Sequence, residues 1–103
     1  MGLADMQLRK HFLAAKINDD QYYLGLISQK RMKLAEQSMM LTMFNSSMDE
    51  QMYEQMTEML HYQDKQLEQQ KVQLETQLKI AESEQDSVNK CVDNQIKTGF
   101  KYA

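Results

Sequence analysis

Leu3, Met6, Lys10, Leu13, Ile17, Asp20, Leu24, Ile27, Arg31, Leu34, Ser38 and Leu41 follow an alternating three-and-four spacing, and eight of these twelve positions are apolar. That spacing marks one face of an α-helix with a coiled-coil-like seam, interrupted at Lys10, Asp20, Arg31 and Ser38. Asn18 has the chemistry of a helix cap, with Gln21 at the reciprocal position and Ile17 and Tyr22 placed as a hydrophobic staple. A kink or short break near residues 17–19 is therefore predicted.

A second helical pattern begins after Phe44. Ser47-Met48-Asp49-Glu50 reads as a capping box. Asp49, Glu50, Glu54 and Glu58 sit at the positive end of the expected helix dipole, whereas Lys90, Lys97 and Lys101 sit toward its negative end. Leu60, Leu67, Leu74, Ala81 and Val88 recur every seven residues. Val88, Val92, Ile96 and Phe100 then step by four, which rotates the apolar stripe around the helix. Glutamines surround the thin stripe between residues 63 and 87, and Gly99 supplies an expected stop.

These patterns predict an all-α antiparallel helical hairpin, coiled-coil-like and of a single domain. Its first arm covers about residues 3–44, a turn covers 45–47, a long second arm covers about 48–97, and a tail occupies 98–103. At about 1.5 Å per residue the arms would span roughly 60 and 75 Å, leaving a C-terminal overhang. Proline is absent and the three glycines stand at positions 2, 25 and 99, so only the stretch from Phe44 to Glu50 interrupts the helical signal. Two helices alone leave much of each stripe uncovered, and small folds without staples commonly gain stability by associating.

Charge narrows the partners. The chain has net charge −3, made of +2 over residues 1–46 (six basic, four acidic) and −5 over residues 47–103 (six basic, eleven acidic). The arms are thus electrostatically complementary. An acidic chain without a basic cluster gives no basis for binding nucleic acid. No run approaches the roughly 20 apolar residues of a spanning helix, so membrane insertion is not expected, and the N-terminal residues lack the apolar core of a cleaved signal. Met6 stands where a myristoylation site has Ser or Thr. Cys91 is the only cysteine, so no internal disulfide forms, and it reads as a small apolar contact residue.

Eight of the ten methionines, Met32, Met39, Met40, Met43, Met48, Met52, Met56 and Met59, flank the turn. Thioethers there suit three roles: capture of a soft metal such as Cu(I), an adaptable docking patch, or gap-filling where two helices and a turn converge. Packing is the expected role, and no metal or other cofactor is assigned. Tyr22, Tyr23, Tyr53, Tyr62, Phe100 and Tyr102 place amphipathic rings near the predicted kink, turn and C-terminus, where they suit subunit contacts or simple closure of a helix end.

No catalytic site is expected. His61 and Cys91 lie 30 residues apart on one predicted helix, roughly 45 Å by helical rise, too far for a nucleophile and base pair. His11 has no patterned ligand beside it, and two histidines with one cysteine do not make a zinc set. Glu50, Glu54 and Glu58 form a ridge that reads as a solvated helix face.

The overall plan, about 100 residues folded as a helical hairpin without a cleaved signal, resembles the small secreted subunits of type III secretion needles and filaments. It is also similar to the helical-hairpin substrates of type VII secretion. The sequence departs from both: Phe44-Asn45-Ser46-Ser47 replaces the needle proteins' proline-containing turn, and the tryptophan-x-glycine turn of the second group is missing. Met1-Gly2-Leu3-Ala4 and Ile27-Ser28-Gln29-Lys30-Arg31-Met32-Lys33-Leu34-Ala35 resemble segments of short uncharacterised bacterial proteins. These resemblances imply an exported, self-assembling bacterial subunit and carry over no functional residue.

The expectation is a structural, non-enzymatic protein that forms homo-oligomers, in the form of an extracellular or cell-surface helical filament, with export machinery as a further partner. The alternative is a cytoplasmic coiled-coil adaptor or secretion chaperone forming a closed oligomer. The expected self-association residues on the first arm are Leu13, Ile17, Leu24, Ile27, Leu34 and Leu41. On the second arm they are Met52, Met56, Leu60, Leu67, Leu74 and Leu78, followed by Val88, Val92, Ile96 and Phe100.

Overall fold

The structure, a computed structural model, describes residues 2–102, with side chains through residue 99. It is all-α. Helix α1 (Leu3–Met43) and helix α2 (Glu50–Tyr102) are joined by a short 3-10 turn (Asn45–Ser47) and pack against each other as a helical hairpin, with no strand among the described residues.

The buried positions of α1 are Leu13, Ile17, Asp20, Ile27 and Leu41, and every one falls on the three-and-four seam. Leu24, Arg31 and Leu34, on the same seam, are half-buried, whereas Lys10 and Ser38 are exposed. The predicted break at residues 17–19 does not occur, because α1 runs through it uninterrupted. Asn18 is exposed inside the helix while Ile17 beside it is buried. An interior Asn costs only a few tenths of a kcal/mol relative to a good helix former, and burial of the neighbouring apolar face outweighs that.

The chain reverses without glycine or proline. Phe44 leaves α1 at φ −105°, ψ 14°, and its carbonyl accepts from the Ser47 N–H at 3.2 Å and the Ser47 hydroxyl at 2.9 Å. Met48 is extended, at φ −106°, ψ 152°, and its N–H donates to the Asn45 carbonyl at 3.2 Å. The capping box therefore fails: Ser47 bonds back to Phe44, and α2 starts at Glu50 rather than Met48. Asp49 takes the preceding position, its carbonyl accepting from the Tyr53 N–H at 2.9 Å. At the far end α2 passes through Gly99 to Tyr102, so the predicted stop and the tail from residue 98 are corrected as well. No described glycine has the positive φ that such a stop requires.

The contacts divide the chain into two compact units. Unit 1 comprises Met1–Tyr22 and Glu75–Ala103. Its core is Leu13, Ile17 and Ala81, with Leu78 and Val88 packed on it. Leu13 and Ala81 are each 2% exposed, so two bulky side chains of α1 meet a small residue of α2, the complementarity that allows close helix packing. At the edge of this unit Arg9 donates to Glu84 at 2.6 Å and lies 5.2 Å from the ring centroid of Phe12. Both members of the Arg9–Glu84 pair are more than two-fifths exposed, so it adds no more than about 1 kcal/mol.

Unit 2, Tyr23–Leu74, contains the connection. Ile27 and Leu41 are its buried apolar residues. Arg31 grips Asp64 through two hydrogen bonds, Nε to Oδ1 at 2.8 Å and a terminal nitrogen to Oδ2 at 3.1 Å. The two arms of this unit are thereby fixed in register at a polar seam position.

Candidate functional site

The surface of unit 2 beside the connection has the concentration of apolar groups that the methionine pattern anticipates. Gln37, Met40 and Leu41 share one face of α1, and Phe44, just past its end, continues their i, i+3, i+4, i+7 spacing. Met56, Met59 and Leu60 of α2 oppose them, and Met48 contributes from the connection. Together these side chains line an open groove of about 430 Å³ that contains no charged residue. A groove between two antiparallel helices, walled by flexible thioethers, has the form that receives an amphipathic helix.

Further apolar side chains stand outside the groove. Met32, Met39 and Met43 are 63%, 66% and 69% exposed. Met52 and Tyr62 are exposed in the same unit, and the Tyr62 hydroxyl accepts from the Gln66 amide at 2.9 Å. Glu50, Glu54 and Glu58 form an exposed acidic ridge on α2. A second depression, lined by Lys65, Glu68, Gln69, Val72 and Gln73, carries both charge signs and lies along α2 alone.

The structure sorts the sequence-predicted association residues into three groups. Leu13, Ile17, Ile27, Leu41 and Val92 are buried within the chain, so they hold the hairpin's own helices together. Leu24, Leu34, Met56, Leu60, Leu67, Leu74, Leu78 and Val88 are half-buried. Met52 and Ile96 are exposed, and the Phe100 side chain lies outside the described residues, as does that of Tyr102. The seam is thus spent largely on intrachain packing, and while Leu8, Phe12 and Ile80 are exposed in unit 1, unit 2 has free apolar surface on Met32, Met39, Met40, Met43, Phe44 and Met59. The methionine clustering points to that surface, whereas heptad spacing selects the internal seam.

Polar groups in the seam are treated unequally. Arg31 is satisfied by Asp64, and the hydrogen bond between them, more than simple proximity, holds the Asp64 carboxyl below its usual range while raising the Arg31 guanidinium. His61 adds a smaller downward push on Asp64. Asp20, 5% exposed, has Lys16 at 3.8 Å but no hydrogen-bond partner on Oδ2. Asn89 Oδ1 in the same unit is also buried without a partner.

Cys91 is exposed rather than a packed contact residue, and His11 and His61 are exposed too. No group of three or more His, Cys, Asp or Glu among the described residues is placed to hold a metal ion. No described helix is long and apolar enough to cross a membrane. Comparison with protein-family models finds no match, and neither the curated proteins nor the solved structures contain a significant one.

Proposed function

We propose that this chain is a structural subunit that associates with copies of itself into a filament. The observation that carries the reading is the apolar groove of unit 2, uncharged along its lining and accompanied by methionines more than three-fifths exposed on the same helix. Soluble proteins keep contiguous apolar patches small unless they bind something there. Methionine side chains suit such a contact because they repack against each other at little conformational strain. Placement of the filament outside the cell follows the resemblance of the hairpin plan to secreted filament subunits.

Light scattering across a concentration series, combined with negative-stain microscopy, tests the reading. The expected result is a mass that grows with concentration and elongated particles of constant width. A fixed small mass would instead favour the closed adaptor or chaperone, in which the groove is filled once and growth stops. A monomer at every concentration removes self-association altogether.

A further inference from the structure

The groove is one of two separate apolar surfaces on the same stretch of α1. Gln37, Met40, Leu41 and Phe44 face the groove. Met32, Met39 and Met43, none of which lines it, repeat at i, i+7 and i+11 and form a strip of their own. At 3.6 residues per turn the centre of that strip lies roughly 130° around the helix from the groove face. A single straight helix docked in the groove therefore leaves the strip uncovered, and a two-fold contact of groove against groove leaves it uncovered twice.

Charge supplies the match between the two surfaces. Glu36 continues the strip, one turn after Met32, one turn before Met39 and two turns before Met43. Lys33 is exposed one turn before Gln37 on the groove-facing side of α1, just beyond the lining on the side away from the connection. The strip thus brings one acid and the groove's mouth one base. In two copies of α1 laid parallel and in register, with the strip of one along the groove of the other, Glu36 stands three residues from Lys33 of its neighbour, about 4.5 Å along the axis and within reach of both side chains.

We propose that the groove of unit 2 receives the Met32, Met39 and Met43 strip of a second copy of this chain, in a heterologous contact that pairs Glu36 of one copy with Lys33 of the next. Such a contact leaves each added copy with a free strip or a free groove, so it propagates unless the rotation closes a ring. The inference rests on the self-association proposed above and specifies its geometry.

Complementation tests it. Met39→Glu blocks the strip and Met59→Glu blocks the groove, at positions 66% and 53% exposed, where the fold tolerates charge. Each variant alone is expected to stay monomeric, while an equimolar mixture forms a dimer of one copy of each, because one intact strip still meets one intact groove. Assembly of Met39→Glu at the wild-type concentration would overturn the proposal while leaving self-association through another contact standing. A mixture that stays monomeric would overturn it too. A wild-type chain that never associates would remove both readings.

A charge exchange gives an independent measure should either methionine variant lose helicity by circular dichroism. Glu36→Lys and Lys33→Glu are each expected to raise the concentration for half-assembly about fivefold, and the double exchange to restore it. Equal weakening by the double variant and the single ones would overturn the pairing.

Discussion

Arg31 and Asp64 form a two-pronged hydrogen-bonded pair between α1 and α2, at 2.8 and 3.1 Å, on a seam position where an apolar residue would otherwise stand. Arg offers the planar fork that a carboxylate accepts with both oxygens, which fixes geometry more strictly than a Lys would. Because the folded-state carboxyl of Asp64 titrates below its ordinary value, its contribution to stability is present above the unfolded carboxylate pKa and is lost as pH falls through the folded one. Asp64→Asn should therefore lower the melting temperature near neutral pH. In strongly acidic solution, where the wild-type carboxyl is also neutral, the gap should close. Thermal melts of both proteins across that range check this, and a gap independent of pH would show that the pair's charge does not matter.

Asp20 occupies an equivalent seam position with a different outcome. Its Oδ2 is buried without a hydrogen bond, and Lys16 at 3.8 Å only partly offsets the lost hydration. Asp20→Leu is expected to stabilise the fold by about 1–3 kcal/mol in urea unfolding. A polar residue at such a position also disfavours wrong pairings, so the variant should show a less uniform oligomer distribution. Destabilisation by Asp20→Leu would mean that the carboxylate makes a net favourable contribution.

Leu13 is the most completely enclosed large side chain of unit 1, packed in one cluster with Ile17 and Ala81. Leu13→Ala should cost about 2–5 kcal/mol, from lost burial and the cavity it leaves. Met39→Ala, at a position 66% exposed, should change stability by no more than about 0.5 kcal/mol. Denaturation of the two variants side by side separates core from docking surface, and similar losses would contradict that division.

Gly25 lies inside α1, and a methyl group built there meets nothing within 4 Å. With no positive φ to preserve, Gly25→Ala should stabilise the fold by about 0.5–1 kcal/mol through reduced entropy of the unfolded chain. An unchanged or lowered unfolding midpoint would point to an unseen demand for glycine at that position.

Helix number, the position of the reversal and the α1 seam are all legible in the sequence, because heptad-like spacing and the absence of proline act over forty or more residues. Details that depend on one residue are not. Asn18, Ser47 and Gly99 each carry a local terminating signal worth about 1 kcal/mol or less, and at 17–19 and 99 the helix continues regardless. At Ser47 the hydroxyl donates to the Phe44 carbonyl instead of capping α2. The candidate surface was legible only in part. Periodicity identifies apolar faces but not which of them another helix of the same chain already covers, so Ile27 and Leu41 read like Met52 until burial separates them.

The shortness of the connection also orders events in time. Arg31 and Asp64 are 33 residues apart in the chain, whereas Arg9 and Glu84 are 75 apart, a difference of about 0.7 kcal/mol in loop-closure entropy. Native pairing should begin next to Asn45–Ser47 and spread outward, so Leu41→Ala should slow folding while Val92→Ala mainly accelerates unfolding in stopped-flow measurements. The opposite assignment would place the nucleus in unit 1. Nucleation beside the connection completes the methionine groove early, so a folding chain presents its sticky surface to neighbours before its two ends have found each other.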